Sequence, residues 1–200
     1  MSDWLTYLLA SVLSYLLGSL LFAQLIANLK GIDLRKVGSK NTGALNLYRS
    51  THSKLLVCLA TLGDMGKGWL AVTLASLLSA TPEASLFAAA FVVLGHQYSL
   101  LTKFKGGKGV LTTMGVYASL EAPQLLPLSL FGWINFTWVI SWALLFGLGY
   151  AFTKKLKVGR IVAYVCLPII AFSLKISMPI VLLFAVLSLF GLLKEDWRAE

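Results

Sequence analysis

The sequence predicts an all-α, polytopic integral membrane protein of about seven transmembrane helices, its N-terminus outside and its C-terminus cytoplasmic. Three observations carry that expectation. Of 200 residues, 58% are hydrophobic and only 12% charged, where soluble domains carry about 25% charged residues. No charged side chain occurs from Trp4 to Leu29 or from Ala122 to Thr153, and each interval exceeds the ~20 residues that cross a ~30 Å hydrocarbon core. The 17 Lys and Arg residues outnumber the 8 Asp and Glu and gather in a few loops. They are not interleaved with aromatic residues as on a nucleic-acid platform, so no nucleic-acid partner is expected.

The first segment, near residues 4–28, is read as a retained helix. Asp3 makes its leading end acidic, its apolar run is too long for a secretory signal, and no small-residue cleavage site follows. Ser19, Ala23 and Ala27 recur every fourth residue and suit close helix contact in lipid. The second segment, near 55–79, holds Gly63-Asp64-Met65-Gly66-Lys67-Gly68. Charges at membrane depth must be paired or functional, and Asp64 and Lys67 can share a helix face. The glycines around them are expected to interrupt the helix and open a polar pocket.

The third segment runs near 85–102 and carries His96 close to one end. Segments near 109–120 and 161–174 are short for a crossing, so each is expected to be tilted, packed inside the bundle or re-entrant. Segments near 125–151 and 177–193 complete the set, with Ala143, Gly147 and Gly149 as small contact positions in the former. Cys58 and Cys166 fall in apolar segments as small hydrophobes. No zinc spacing, metal cluster or cofactor fingerprint is visible, so no cofactor is expected, and residues 1–200 read as one membrane-embedded domain.

Loops 29–54, 103–108, 152–160 and 194–200 hold nearly all the basic residues, whereas the opposite connections carry Asp3, Glu83, Glu121 and only Lys175. The positive-inside tendency therefore puts the four basic loops in the cytoplasm. Two of them have the composition of anion sites. Loop 38–49 offers Ser39, Asn41, Asn46, Arg49 and several glycines, a set able to hold phosphate but equally suited to a solvated turn. Lys103-Phe104-Lys105-Gly106-Gly107-Lys108-Gly109 combines three lysines with glycines whose N–H groups can approach an oxyanion. It is not a nucleotide P-loop, because Gly109 stands where Ser or Thr is required. His96, preceded by Gly95, is either a general base or a hydrogen-bonded helix-end histidine. On these residues alone, an enzyme, a transporter and a non-catalytic binding protein for a phosphorylated compound all remain open.

Taken together, Gly38-Ser39-x-Asn41-x-Gly43-Ala44-x-Asn46-x-x-Arg49, Asp64-x-x-Lys67-Gly68 and Gly95-His96-x-Tyr98 with Phe104-Lys105-Gly106-Gly107-Lys108-Gly109-Val110 are a composite pattern. It resembles the bacterial acyl-phosphate:glycerol-3-phosphate acyltransferase (PlsY) family. The resemblance implies a seven-helix inner-membrane enzyme that moves an acyl chain from acyl phosphate to the 1-hydroxyl of glycerol 3-phosphate, giving lysophosphatidic acid and phosphate. Its implied partners are those two substrates and membrane lipid. Its implied substrate-binding residues are Ser39, Asn41, Gly43, Asn46, Arg49, Asp64, Lys67, Lys105, Gly106, Gly107 and Lys108, with His96 as the catalytic candidate that orients the acceptor hydroxyl. The sequence departs from the family pattern at Ser99, in the loop at 153–161, and at its end, where Glu195 and Asp196 stand in place of the expected His and Asn motif.

Overall fold

A computed structural model describes residues 3–78, 81–120, 129–130, 134–135 and 137–194. The element order is α1 (Asp3–Ser19), α2 (Phe22–Asn28), α3 (Ala44–Thr51), α4 (Lys54–Leu78), α5 (Pro82–Gln97), a 3-10 turn (Leu100–Thr102), α6 (Val110–Ser119), β1 (Ser129–Leu130), β2 (Ile134–Asn135), α7 (Thr137–Thr153), α8 (Leu156–Ser173) and α9 (Met178–Leu193). Four stretches are long and apolar enough to cross a membrane: Asp3–Asn28, Lys54–Leu78, Pro82–Thr102 and Leu156–Ser173. α6, α7 and α9 are shorter apolar helices. The chain is helical and multi-pass, and it divides into two compact units, Met1–Val116 and Tyr117–Glu200.

In the first unit α1 packs on α5 where both chains have shed a side chain. A Cβ on Gly18 would run into the backbone of Val92, and one on Gly95 into that of Tyr15. α4 meets α6 the same way, Gly68 against Thr112 and Gly115 against Met65. In lipid, where apolar burial between helices gains little, such close backbone approach is the main source of contact energy. The basic loop after α2 folds on a small core of its own, in which Leu34 and Leu47 pack with Ala23, Ala27 and Ala60. In the second unit Gly149 of α7 lies against Gly159 of α8. The Phe184 ring of α9 meets Tyr117 and Trp138 edge-on at 5.0 and 4.9 Å between centroids.

Several sequence expectations change. The segment at 4–28 is not one helix: it breaks between Ser19 and Phe22, although no Gly or Pro stands there. The break leaves the Ser19 and Leu20 carbonyls without helical partners, and both find side chains instead, Ser99 Oγ at 2.7 Å and Lys67 Nζ at 2.5 Å. Irregular backbone at membrane depth survives only with such substitutes. Conversely, α4 runs unbroken through Gly63, Gly66 and Gly68, because Gly63 and Gly68 serve contact with Phe22 and α6. The uncharged interval 122–153 is not one helix either, since a two-residue antiparallel pair, Ser129 with Asn135 and Leu130 with Ile134, precedes α7. Absence of charge reports hydropathy, whereas Pro123, Pro127 and Gly132 oppose helix. Ala143 and Gly147 face outward, leaving Gly149 alone of that trio in contact. Cys58 is exposed rather than buried.

Candidate active site

Four of the residues singled out in the sequence converge inside the first unit. Asp64 and Lys67 sit one turn apart on the buried face of α4, Lys67 Nζ donating to Asp64 Oδ1 at 2.7 Å with both side chains 1% exposed. The same Nζ donates to the Leu20 carbonyl and lies 2.8 Å from His96 Nδ1. An ammonium has three N–H donors and no acceptor, so the three donors of Lys67 match these three neighbours. The pair is neutral as a whole and joined by a direct hydrogen bond, the condition under which charges persist at membrane depth. His96, on the last turn of α5, is buried, and its Nδ1 also has Thr112 Oγ1 at 3.1 Å and Asp64 Oδ1 at 3.5 Å.

The other edge of the imidazole faces the glycine loop. A Cβ on Gly107 would strike His96 Nε2 and would come within van der Waals reach of Thr42 Oγ1. Thr42 belongs to the first anion-type loop, so both loops and the end of α5 meet around Gly107. Thr42 is 1% exposed, and its hydroxyl has no hydrogen-bond partner among the described residues.

How each loop is held differs from what its composition suggests. The Gly106 and Gly107 N–H groups donate to the Gln97 and His96 carbonyls, both at 3.1 Å. They therefore cap α5. Glycine is required because a Cβ on Gly106 would collide with those same carbonyls. Gln97 Nε2 donates to the Lys108 carbonyl at 3.0 Å, and Thr102 Oγ1 to that of Lys105 at 3.0 Å. The turn is tightened by Lys103 and Phe104, both left-handed with φ of 55° and 61°, conformations that non-glycine residues hold only where surroundings compensate.

In the first loop Asn46 is buried and works inward. Its Oδ1 accepts from the Ser39 N–H at 3.1 Å, and its Nδ2 donates to the carbonyls of Leu34, Val37 and Asn41 at 3.0, 3.1 and 2.9 Å. Its amide organises the loop. Ser39, Arg49 and Lys105 are exposed, while Asn41, Gly43 and Lys108 are half-buried. No side-chain hydrogen bond joins Ser39, Arg49 or Lys105 to the His96 cluster among the described residues. Upstream, Arg35 grips Asp33 through Nε and Nη2 at 2.8 and 2.9 Å. That hydrogen bonding holds the Asp33 carboxyl down at about 2, so the loop's one acid stays paired and its other cations face outward. Among the described residues no group of His, Cys, Asp and Glu could hold a metal ion.

Three participants escape sequence reading: Thr42, Thr112 and the Leu20 carbonyl. Thr112 had a faint signal, as part of a Thr-Thr pair inside an apolar segment. The carbonyl had none.

A family model described as glycerol-3-phosphate acyltransferase matches residues 8–196. The chain belongs to the glycerol-3-phosphate acyltransferase family. A glycerol-3-phosphate acyltransferase of Azotobacter vinelandii is 37% identical over 182 residues, covering 90% of this chain and 88% of that protein. One from Wolbachia of Brugia malayi is 46% identical over 116 residues, but the alignment covers 58% of this chain and 60% of that protein. A crystal structure of PlsY, an integral membrane glycerol 3-phosphate acyltransferase, in its glycerol 3-phosphate form, superposes with a TM-score of 0.78 over 94% of this chain and 87% of that one, at 26% identity. Among the readings left open by residues alone, family membership favours the enzyme over the transporter and the binding protein.

Proposed function

We propose that the chain transfers a fatty acyl group from acyl phosphate to the 1-hydroxyl of glycerol 3-phosphate, an acyltransferase step of phospholipid synthesis. The hydroxyl oxygen bonds to the acyl carbon and the bond from that carbon to the phosphate oxygen breaks. The hydroxyl proton leaves with the phosphate, so the products are lysophosphatidic acid and inorganic phosphate. The observation that carries this reading is the meeting of both anion-type loops at Gly107, against His96, in a chain matched by the family over 8–196.

An acyl phosphate is an activated anhydride, so the site needs positioning and charge stabilisation more than a covalent nucleophile. Ser39, Asn41, Gly43, Arg49, Lys105 and Lys108 surround the two phosphates, with Asn46, Gly106 and Gly107 shaping the loops that present them. Asp64 and Lys67 hold His96 at the junction where the hydroxyl and the acyl carbon meet. For the alkyl tail, an apolar groove of about 190 Å³ runs between α1 and α4, lined by Leu13, Leu17, Ala71 and Leu74 among others, and begins one turn from Lys67.

The same reading takes residues 1–200 as one functional module crossing the membrane seven times. The four long stretches and the three shorter apolar helices supply the crossings. The N-terminus lies outside, and the basic loops face the cytoplasm of an inner membrane. Glu195 and Asp196, where the family's terminal motif is replaced, lie outside the described residues.

The test is product identification with purified protein and EDTA present. Acyl phosphate, acyl-carrier-protein thioester and coenzyme A thioester are offered side by side with glycerol 3-phosphate. Lysophosphatidic acid and phosphate are expected from acyl phosphate. A yield no greater than that of a Lys108→Ala control would reject the proposal.

A further inference from the structure

The apolar groove of about 190 Å³ between α1 and α4 is continuous with the His96 cluster along both of its helices. On α4, Ala71, Leu74, Ala75 and Leu78 follow Asp64 and Lys67 at helical spacing and so continue their face. On α1, Leu17, Ser14 and Ala10 recede from Leu20, whose carbonyl receives Lys67 Nζ. That hydrogen bond therefore stands at the groove's inner mouth. Small buried residues, Ala10, Ser14, Ala71 and Ala75, form the floor, and the exposed Leu13, Leu74 and Leu78 form the rim.

On α1 the lining stops at Ala10. One turn beyond it, Tyr7 packs against the cluster of Ala10, Ala75, Ala84 and Ala88. Its ring is fixed by three neighbours. It stacks on Phe87 of α5 at 5.6 Å between centroids, Trp4 meets it edge-on at 6.1 Å, and its hydroxyl accepts from Thr81 Oγ1 at 3.3 Å. A ring packed on all these groups yields little to a chain pressed against it.

We propose that this groove gauges the acyl chain and that Tyr7 sets the length accepted. The proposal rests on the acyltransferase reading for its substrate, and adds which end of the groove selects among chains. From Lys67 to Leu78, α4 advances about 16 Å at 1.5 Å per residue. With C–C bonds of about 1.52 Å an extended alkyl chain advances roughly 1.3 Å per carbon, so about twelve carbons fill the groove beyond Lys67. Lipid tails are as apolar as the groove, so burial alone favours no chain length. Discrimination comes from shape, because a chain that overruns the stop must buckle or leave the groove, and either displaces its acyl carbon from the site at His96.

The test offers lauroyl, myristoyl, palmitoyl and stearoyl phosphate with glycerol 3-phosphate to the protein in nanodiscs, with kcat/KM as the readout. Ala75→Leu raises the floor short of the stop, and is expected to move the ratio of lauroyl to palmitoyl transfer about tenfold toward the shorter chain. Tyr7→Ala removes the stop and is expected to move the optimum toward stearoyl phosphate. Leu62, exposed on α4 away from the groove, supplies the control Leu62→Ala, expected to keep the parental profile. Parental profiles in both groove variants, or an equal shift in the control, would overturn the gauge. Should Ala75→Leu not fold, Tyr7→Ala decides alone.

A palmitoyl phosphonate with a diazirine at its chain end gives a readout that needs no turnover. It is expected to label α1 and α4 around Tyr7 and Leu78, and to be displaced by palmitoyl phosphate. Labelling elsewhere, or equal labelling by a phosphatidylcholine with the same tail, would assign the groove to bulk lipid and overturn the proposal. Displaceable labelling in a protein that makes no lysophosphatidic acid would sink the proposed function and leave the groove as an acyl-chain site. Lysophosphatidic acid made with an unchanged chain profile would sink the gauge alone.

Discussion

Asn46 and Asp33 illustrate two ways in which single residues build the first loop. Asn46 lies buried among four backbone groups, accepting once and donating three times. Replacing it by Ala leaves the buried Leu34 carbonyl without its partner, at about 1–3 kcal/mol, while the other three groups are nearer to water. Asn46→Ala is expected to lower thermal stability modestly and to raise the KM for glycerol 3-phosphate more than it lowers kcat, because the loop loses shape while the His96 cluster is untouched. Steady-state kinetics beside a melting curve checks this. Asp33 is a solvent-facing case: the Arg35 fork holds its carboxyl at about 2, below the ordinary 3.8. A depressed carboxylate contributes to stability above its unfolded value, and the contribution is lost as pH falls from about 3.8 through about 2. Arg35→Ala is expected to return the Asp33 titration toward 3.8 without effect on turnover at neutral pH. Carboxyl NMR reads it directly.

The interrupted first span and the glycine turn after α5 are the elements that make the site. The break at Leu20 is stabilised from outside its own segment, by Lys67 and Ser99, so no local propensity announces it. α6, at ten residues, is about 15 Å long, half of what crosses a bilayer, and Thr112 in its first turn lies 3.1 Å from His96 Nδ1. In the glycine turn the backbone of Gly106 approaches the His96 and Gln97 carbonyls too closely for a side chain. Gly106→Ala is therefore expected to push the turn off α5 and cost at least tenfold in kcat/KM, with helix content unchanged by circular dichroism. A variant with parental kcat/KM would show that the turn's position is not needed. The composition of this turn was legible in the sequence as an anion site. What its amides bind was not, because that depends on where the α5 carbonyls lie.

At the scale of the whole molecule, charge placement leads to the topology. Four basic loops against connections carrying Glu83 and a single Lys175 make a strong inside bias. Single cysteines at Lys40, Lys105, Glu83 and Lys175, in a background lacking Cys58 and Cys166, test it in intact cells with an impermeant maleimide. Positions 83 and 175 are expected to label from outside, and 40 and 105 only after the membrane is opened. Labelling of 40 and 105 on opposite sides would end the proposal of a shared site. By itself the sequence determined the membrane class, the apolar segments, the composite motif and the pairing of Asp64 with Lys67, because hydropathy, charge and short spacings are properties of neighbouring residues. Only the tertiary structure decided that Lys67 lies against His96, that the helix breaks at Leu20 and not at the glycines of α4, and that Thr112 meets the ring while Thr42 and the ring both flank Gly107. Each of those outcomes depends on donors and acceptors far apart in the chain being brought within hydrogen-bond distance, where a buried polar group must find a partner whichever segment supplies it.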